Sequence, residues 1–253
     1  MTDMHTQGSE ASGLSPEMAA PGSLFEPIQS HHRKQASETL AHISLFEGLS
    51  PEMIDFLSSH AVVRSYGKNT IVIQEGDVSD SLYVILKGRV KVFLSDEEGK
   101  QVDLNTLGPG EYFGELAALD HSPRCASIMT LESGKFAVIS KEDFYRCLQA
   151  NPVIAVRLID GLVRRFRDLT ENVKSLALMD VYGRVARTLL NLATRSDDGT
   201  MVIEQKLTQR ELANMVGASR EMVSRILKDL TIGGYVVIKN KTIVIQEKLP
   251  PAW

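Results

Sequence analysis

The sequence predicts an α+β chain in three stages: a β-rich N-terminal domain, one long helix, and a C-terminal domain of short helices. Three patterns carry this reading. Apolar residues alternate with a period of two from Ala61 to Ile139 and are punctuated by glycine-rich turns. They then recur at steps of three and four from Ile159 to Leu176, the spacing of one apolar stripe along a helix. Finally, Thr208 and Glu211 stand at capping-box spacing, and Gly217 separates the helix they open from a second one starting at Ser219.

At 253 residues with 43% apolar content, the chain has room for two ordinary cores. No run approaches the length of a membrane span, and the first thirty residues lack the basic start and apolar middle of a signal peptide, so a soluble cytoplasmic protein is expected. The two cysteines, Cys125 and Cys147, are too few for a disulfide framework and read as free thiols. The net charge of −4 is unevenly spread: residues 181–253 hold 11 Lys and Arg against 7 Asp and Glu, residues 1–180 hold 17 against 25. Only the basic C-terminal part is suited to a polyanion.

Residues 1–36 lack a helix or strand period and are expected to be a flexible extension. His31 and His32 within it have no further ligand at metal spacing. A first domain is assigned to residues 37–151. It begins with two short helices, the second opened by Ser50 as N-cap with Pro51 at the first helical position. Val63, Ile71, Ile73, Leu82, Val84, Leu86, Val90, Val92 and Leu94 then mark short strands, separated by Gly67, Gly76, Gly88, Gly99 and the turn at 108–110. Such strands build a closed or double-sheet structure. They end at residues 136–139, and residues 141–148 read as helix.

The long helix is assigned to residues 152–179. Ile159, Leu162, Phe166, Leu169, Val173 and Leu176 form its seam, flanked by residues such as Arg157, Arg164, Arg165 and Asp168. That pattern suits a helix paired with a partner helix. The alternative is an amphipathic helix packed on its own domain.

Between the strands, residues 113–127 carry the chemistry. Gly114 permits close approach of a ligand to the backbone, and residues 115–119 can form one helical turn whose free N–H groups favour an anion. Arg124 can hold two phosphate oxygens, and Glu115 can accept a hydrogen bond from a ribose hydroxyl. A cyclic nucleotide presents both groups. The plainer reading is a structural ion pair between Glu115 and Arg124.

Residues 180–253 form the last domain. Asp180 opens a helix with Val185, Leu189, Leu190 and Leu192 apolar, and residues 194–199 read as a polar loop. Helix, glycine turn, helix follows from Thr208. On the second helix Val223, Ile226, Leu227 and Leu230 face inward, leaving Arg220, Glu221, Ser224, Arg225 and Lys228 outside. Arg220 and Glu221 in the first turn, with Arg225 one turn on, place donors and an acceptor where a recognition helix meets base edges.

The string at 113–127 closely resembles the phosphate-binding cassette of cyclic-nucleotide-binding domains, and residues 75–77 and 81–83 resemble the strand and turn before it. With the string at 219–227, the resemblance to the cyclic AMP receptor protein and FNR family covers about residues 41–245. It implies a jelly-roll sensor, a dimerisation helix, and a winged helix-turn-helix whose hairpin wing lies in residues 234–245. It also implies that Gly114 and Glu115 bind the ribose, with Leu116 beside them, and that Arg124 and the amide or side chain of Cys125 bind the cyclic phosphate. Two neighbouring hydroxyl residues of the long helix meet the base in the bacterial activator; here those positions are Leu169 and Thr170. Thr170 can serve, but Leu169 cannot hydrogen-bond a base edge. Arg220, Glu221 and Arg225 carry over as base contacts, with Ser224 on the same face, and Ser219, Thr208 and Gln209 as phosphate contacts. The implied effector is cyclic AMP, with cyclic GMP or cyclic di-GMP as alternatives, and no metal. The implied partners are a second copy of the chain, double-stranded DNA and RNA polymerase. An enzyme is not expected, since no nucleophile with its base, metal spacing or phosphate-transfer loop is found.

Overall fold

The computed structural model describes residues 40–41, 43, 45–196, 200–239 and 242–249. The extension expected over residues 1–36, with its histidine pair, lies outside them. Of the first expected helix, the described part ends in turns over residues 45–48. Helix α1 (Pro51–His60) starts where Ser50 Oγ accepts the Met53 N–H, and Pro51 fills a position that needs no donor. Among the described residues, no helix is long and apolar enough to cross a membrane.

Eight strands follow: β1 (Val62–Tyr66), β2 (Ile71–Ile73), β3 (Leu82–Lys87), β4 (Val90–Ser95), β5 (Gln101–Leu107), β6 (Tyr112–Phe113), β7 (Ser127–Thr130) and β8 (Gly134–Ile139). They form two antiparallel four-stranded sheets, ordered β1-β8-β3-β6 and β2-β7-β4-β5, a jelly-roll sandwich. Short helix α2 (Glu115–Asp120) interrupts the strands after β6, and α3 (Lys141–Ala150) leaves the sandwich.

Strand β3 is buried on both faces, and its period of two sorts side chains between two cores. Tyr83 and Ile85 point between the sheets, where Tyr83 stacks on Phe113 with ring centroids 5.0 Å apart. Leu82 and Val84 point the other way, under a layer made by α1, α3 and the start of the long helix. That second core explains why β3 reads as an unbroken apolar run instead of a simple alternation.

Asn151 caps the long helix α4 (Pro152–Leu178) by accepting the Val153 N–H. Ile154, Leu158 and Gly161 are buried against the sensor, while Ile159, Val163, Phe166, Leu169, Val173 and Leu176 are exposed. The seam needs one correction: Leu162 turns inward onto the sensor core, and Val163 takes its place on the outer stripe. Phe166 is 71% exposed, far more than a large aromatic in contact with its own domain.

The C-terminal domain comprises α5 (Val181–Leu192), β9 (Thr194–Arg195), β10 (Met201–Ile203), α6 (Gln209–Val216), α7 (Arg220–Ile232), β11 (Val236–Lys239) and β12 (Thr242–Ile245). Its strands form one antiparallel sheet ordered β11-β12-β10-β9. The expected polar loop after α5 is thus partly strand, because Thr194 and Arg195 pair with Val202 and Met201. Of the apolar residues of α5, Leu190 is exposed, while Val185 and Leu189 reach the core beside Leu212, Val216, Val223 and Leu230. Arg184 fastens this domain to the end of α4, donating from Nε to Val216 O at 2.8 Å and from Nη1 to Met179 O at 2.9 Å.

The two thiols differ. Cys147 is fully buried in the helical layer, and burial, with Asp143 adding to it, pushes its pKa up to about 11; Cys125 is exposed. At pH 7.5 a thiol reagent should label Cys125 and spare Cys147 by at least about a hundredfold in rate, since the thiolate is the nucleophile. Because the folded pKa of Cys147 is raised, its contribution to stability is complete below about pH 9 and is lost as pH rises toward 11. Denaturant melts of Cys147→Ala should accordingly show a shallower alkaline decline than the parent.

Candidate functional site

The turn from β6 into α2 is built on Gly114, whose φ of +82° lies in the left-handed region. A Cβ there would lie 2.9 Å from Ser81 O and press on the Arg124 guanidinium, so glycine is required for space as well as conformation. Arg124 fills the room this leaves. It is 4% exposed and donates from Nε to Ser79 Oγ (2.9 Å), from Nη1 to Gly114 O (2.7 Å) and from Nη2 to Ser81 O (2.8 Å). All three acceptors are uncharged. Burial draws the guanidinium below its ordinary pKa, opposed by Tyr83, Asp80 and Glu115 nearby. A buried cation held this way is oriented while its charge is left for an anion.

Glu115 is likewise 4% exposed, but its hydrogen-bonded partner is not Arg124. Its Oε1 accepts from Arg165 Nη1 of α4 at 2.7 Å. Arg165 also donates to Tyr112 O and stands over the Tyr112 ring, 4.6 Å from its centroid. The plain reading of a Glu115–Arg124 pair is therefore replaced by an ion pair spanning fifty residues.

Between the sheets and α4 lies a cavity of about 710 Å³. Gly114, Glu115, Leu116, Arg124 and Cys125 all line it, together with Leu104 and Asn105 of β5 and Ile159, Val163, Phe166 and Leu169 of α4. Thr170 does not; its hydroxyl donates to Phe166 O at 2.9 Å on the exposed side of the helix. Burial, and Glu115 after it, raises the Cys125 thiol, which favours the neutral form beside the cassette. The residues that sequence reasoning passed over are Arg165, read only as a flank of the seam, and Asn105, whose Oδ1 accepts the Thr106 N–H at 2.8 Å. Neither position carries a local sequence signal: Arg165 finds its partners fifty or more residues away, and Asn105 meets the cavity only once β5 is folded beside α4.

The C-terminal site also follows from its caps. Thr208 Oγ1 accepts the Glu211 N–H at 3.2 Å while Glu211 Oε2 accepts the Thr208 N–H at 2.7 Å, completing the capping box. Gly217, φ +62°, turns the chain, and Ser219 Oγ accepts the Met222 N–H at 3.2 Å to start α7. Thr208, Gln209 and Ser219 are exposed at the helix openings. Each capping hydroxyl accepts in its cap and keeps its own proton available to an outside acceptor. Along α7, Arg220, Glu221 and Arg225 are exposed and Ser224 is half-buried; Arg220 Nε lies 3.7 Å from Glu221 Oε1. Among the described residues, no group of three or more His, Cys, Asp or Glu is placed to hold a metal ion.

Comparison with known proteins covers both regions of the chain. Residues 63–151 match the cyclic nucleotide-binding domain family, and residues 183–248 match the Crp-like helix-turn-helix domain family. The chain is 37% identical over 198 residues to the cAMP-activated global transcriptional regulator CRP of Salmonella typhimurium, covering 76% of this chain and 93% of that one. It is 32% identical over 213 residues to the CRP-like cAMP-activated global transcriptional regulator of Mycobacterium tuberculosis, covering 83% and 95%. Among solved structures, the c-di-GMP responsive global regulator CLP of Xanthomonas campestris aligns with a TM-score of 0.70 at 28% identity, over 79% of this chain and all of that one. With a cyclic-nucleotide-binding sandwich, a long helix and a Crp-like helix-turn-helix in the same order, the chain belongs to the cyclic AMP receptor protein and FNR family of transcription regulators.

Proposed function

We propose that this regulator is a cytoplasmic homodimer whose DNA binding is governed by cyclic AMP held between the sandwich and α4. One observation carries the reading: Arg124, buried and fixed by three neutral acceptors, supplies a positive charge at the wall of the cavity. In this account Arg124 and the Cys125 segment bind the cyclic phosphate, and Gly114, Glu115 and Leu116 surround the ribose. The base points toward α4, where Leu169 offers packing and no hydrogen bond; Thr170, outside the cavity of its own chain, serves the site of the partner. The relatives from Salmonella typhimurium and Mycobacterium tuberculosis, both cAMP-activated regulators by name, support this effector. Cyclic di-GMP is the second reading, favoured by Leu169 and by the likeness to the c-di-GMP responsive regulator CLP. Calorimetry with cyclic AMP, cyclic GMP and cyclic di-GMP separates them.

Two chains meet along the exposed stripe of α4, and a ligand against that helix biases the spacing of two α7 helices. These must match half-sites about one DNA turn apart. Arg220, Glu221 and Arg225 read bases there, with Ser224 beside them, while Thr208, Gln209 and Ser219 grip phosphates. RNA polymerase is the partner that a regulator of this family addresses once on DNA.

Arg124→Leu is expected to stay folded, destabilised by about 1–3 kcal/mol for its orphaned acceptors, and to lose nucleotide-dependent operator binding. Leu169→Thr should lower operator affinity without nucleotide and steepen the response to cyclic AMP. Operator affinities of the parent and both variants, with and without nucleotide, check this; a full response in Arg124→Leu would defeat the cassette assignment.

Phe166→Glu should give monomers, since it puts a charge at the most exposed aromatic of the stripe. Sedimentation of that variant as a dimer at micromolar concentration would place the interface elsewhere.

Selection from random DNA should return a palindrome with TGTGA-like half-sites, because Arg220 and Arg225 each suit a guanine and Glu221 a cytosine amine, at about 1–3 kcal/mol per pairing. Recovery of TTGAT half-sites would instead assign Ser224 the deciding contact.

A further inference from the structure

Among the described residues the Tyr112 hydroxyl is buried without a hydrogen-bond partner, and Tyr112 is 6% exposed. A phenylalanine would pack as well without that cost, so the oxygen contributes length and not bonding. It ends against the long helix at Gly161, a buried glycine in mid-helix, where glycine is among the poorest helix formers. A Cβ at position 161 would overlap Tyr112 Oη, whereas Tyr112 Cζ would stand 3.4 Å away, an ordinary contact. One oxygen atom and one missing methyl thus fit each other.

One turn further along the same helix face, Arg165 covers the Tyr112 ring, donates to its carbonyl and holds Glu115. Tyr112 lies two residues before Gly114 on the strand that leads into the cassette. We propose that the Tyr112 hydroxyl and the bare Cα of Gly161 form a stop that sets how closely α4 approaches the cassette, making both positioning residues for the effector cavity. Advance of the helix is blocked by the phenol oxygen, and retreat stretches the Arg165–Glu115 pair. The part of this inference that concerns effector affinity rests on the effector reading above.

The test is Gly161→Ala with and without Tyr112→Phe, read by calorimetry with cyclic AMP and by the labelling rate of Cys125, which lines the cavity. Gly161→Ala should weaken cyclic AMP about tenfold or more and change Cys125 labelling several-fold, the scale of forcing one methyl into a packed contact. Alanine favours helix over glycine, so unwinding of α4 does not account for the loss. The double variant Tyr112→Phe, Gly161→Ala should return both readouts to within about threefold of the parent, because the overlapping atom is gone. Parental Cys125 labelling in Gly161→Ala, or a double variant as impaired as the single one, overturns the stop. A parent that does not bind cyclic AMP defeats the effector reading alone, and the stop is then judged on Cys125 labelling.

Discussion

The ion pair between Glu115 and Arg165 is the constraint on which this architecture turns. A carboxylate with 4% exposure needs a cation and full hydrogen bonding to be tolerated. Its cation comes from the long helix at 2.7 Å. The sensor domain therefore does not merely precede α4 in the chain. Its cavity-lining carboxylate is completed by the helix, so the cavity wall and α4 are parts of one electrostatic unit.

Arg124 is treated in the opposite way. It sits equally deep, yet its three acceptors are a hydroxyl and two backbone carbonyls. The two buried charges of the cassette are thus separated in function by their partners: Glu115 is neutralised within the protein, and Arg124 is oriented but not neutralised. A ligand carrying an anion and a hydroxyl group matches that asymmetry, with the anion directed to the sandwich and the hydroxyl to the side that touches α4.

Much of this was legible in the sequence because it is local. Ser50, Asp180, Thr208 and Ser219 announce helix starts through side chains that bond three residues ahead, and each does so in the fold. The cassette string and the inner face of α7 are likewise contiguous or periodic. What escaped was set by contacts across the fold. Leu162 and Val163 are adjacent apolar residues, and which of them faces outward is decided by the sandwich packed under the helix. Arg165 lies among several arginines with nothing local to mark it as the partner of Glu115. Gly161 reads as a weak spot in a helix until Tyr112 is placed opposite. Thr194 and Arg195 looked like loop because a two-residue edge strand has no period to detect.

Strand β5 carries the last point. Leu104 borders the large cavity on one side; on the other it borders a smaller cleft shared with Met215 and Val216 of α6, and its carbonyl accepts from Asn172 of α4 at 3.4 Å. Leu104 therefore borders both the cavity inside the sensor and the cleft beside the helix-turn-helix. An exchange of size at this residue reaches the cavity and the cleft together, so the wall of the one and the packing of the other are not independently adjustable there.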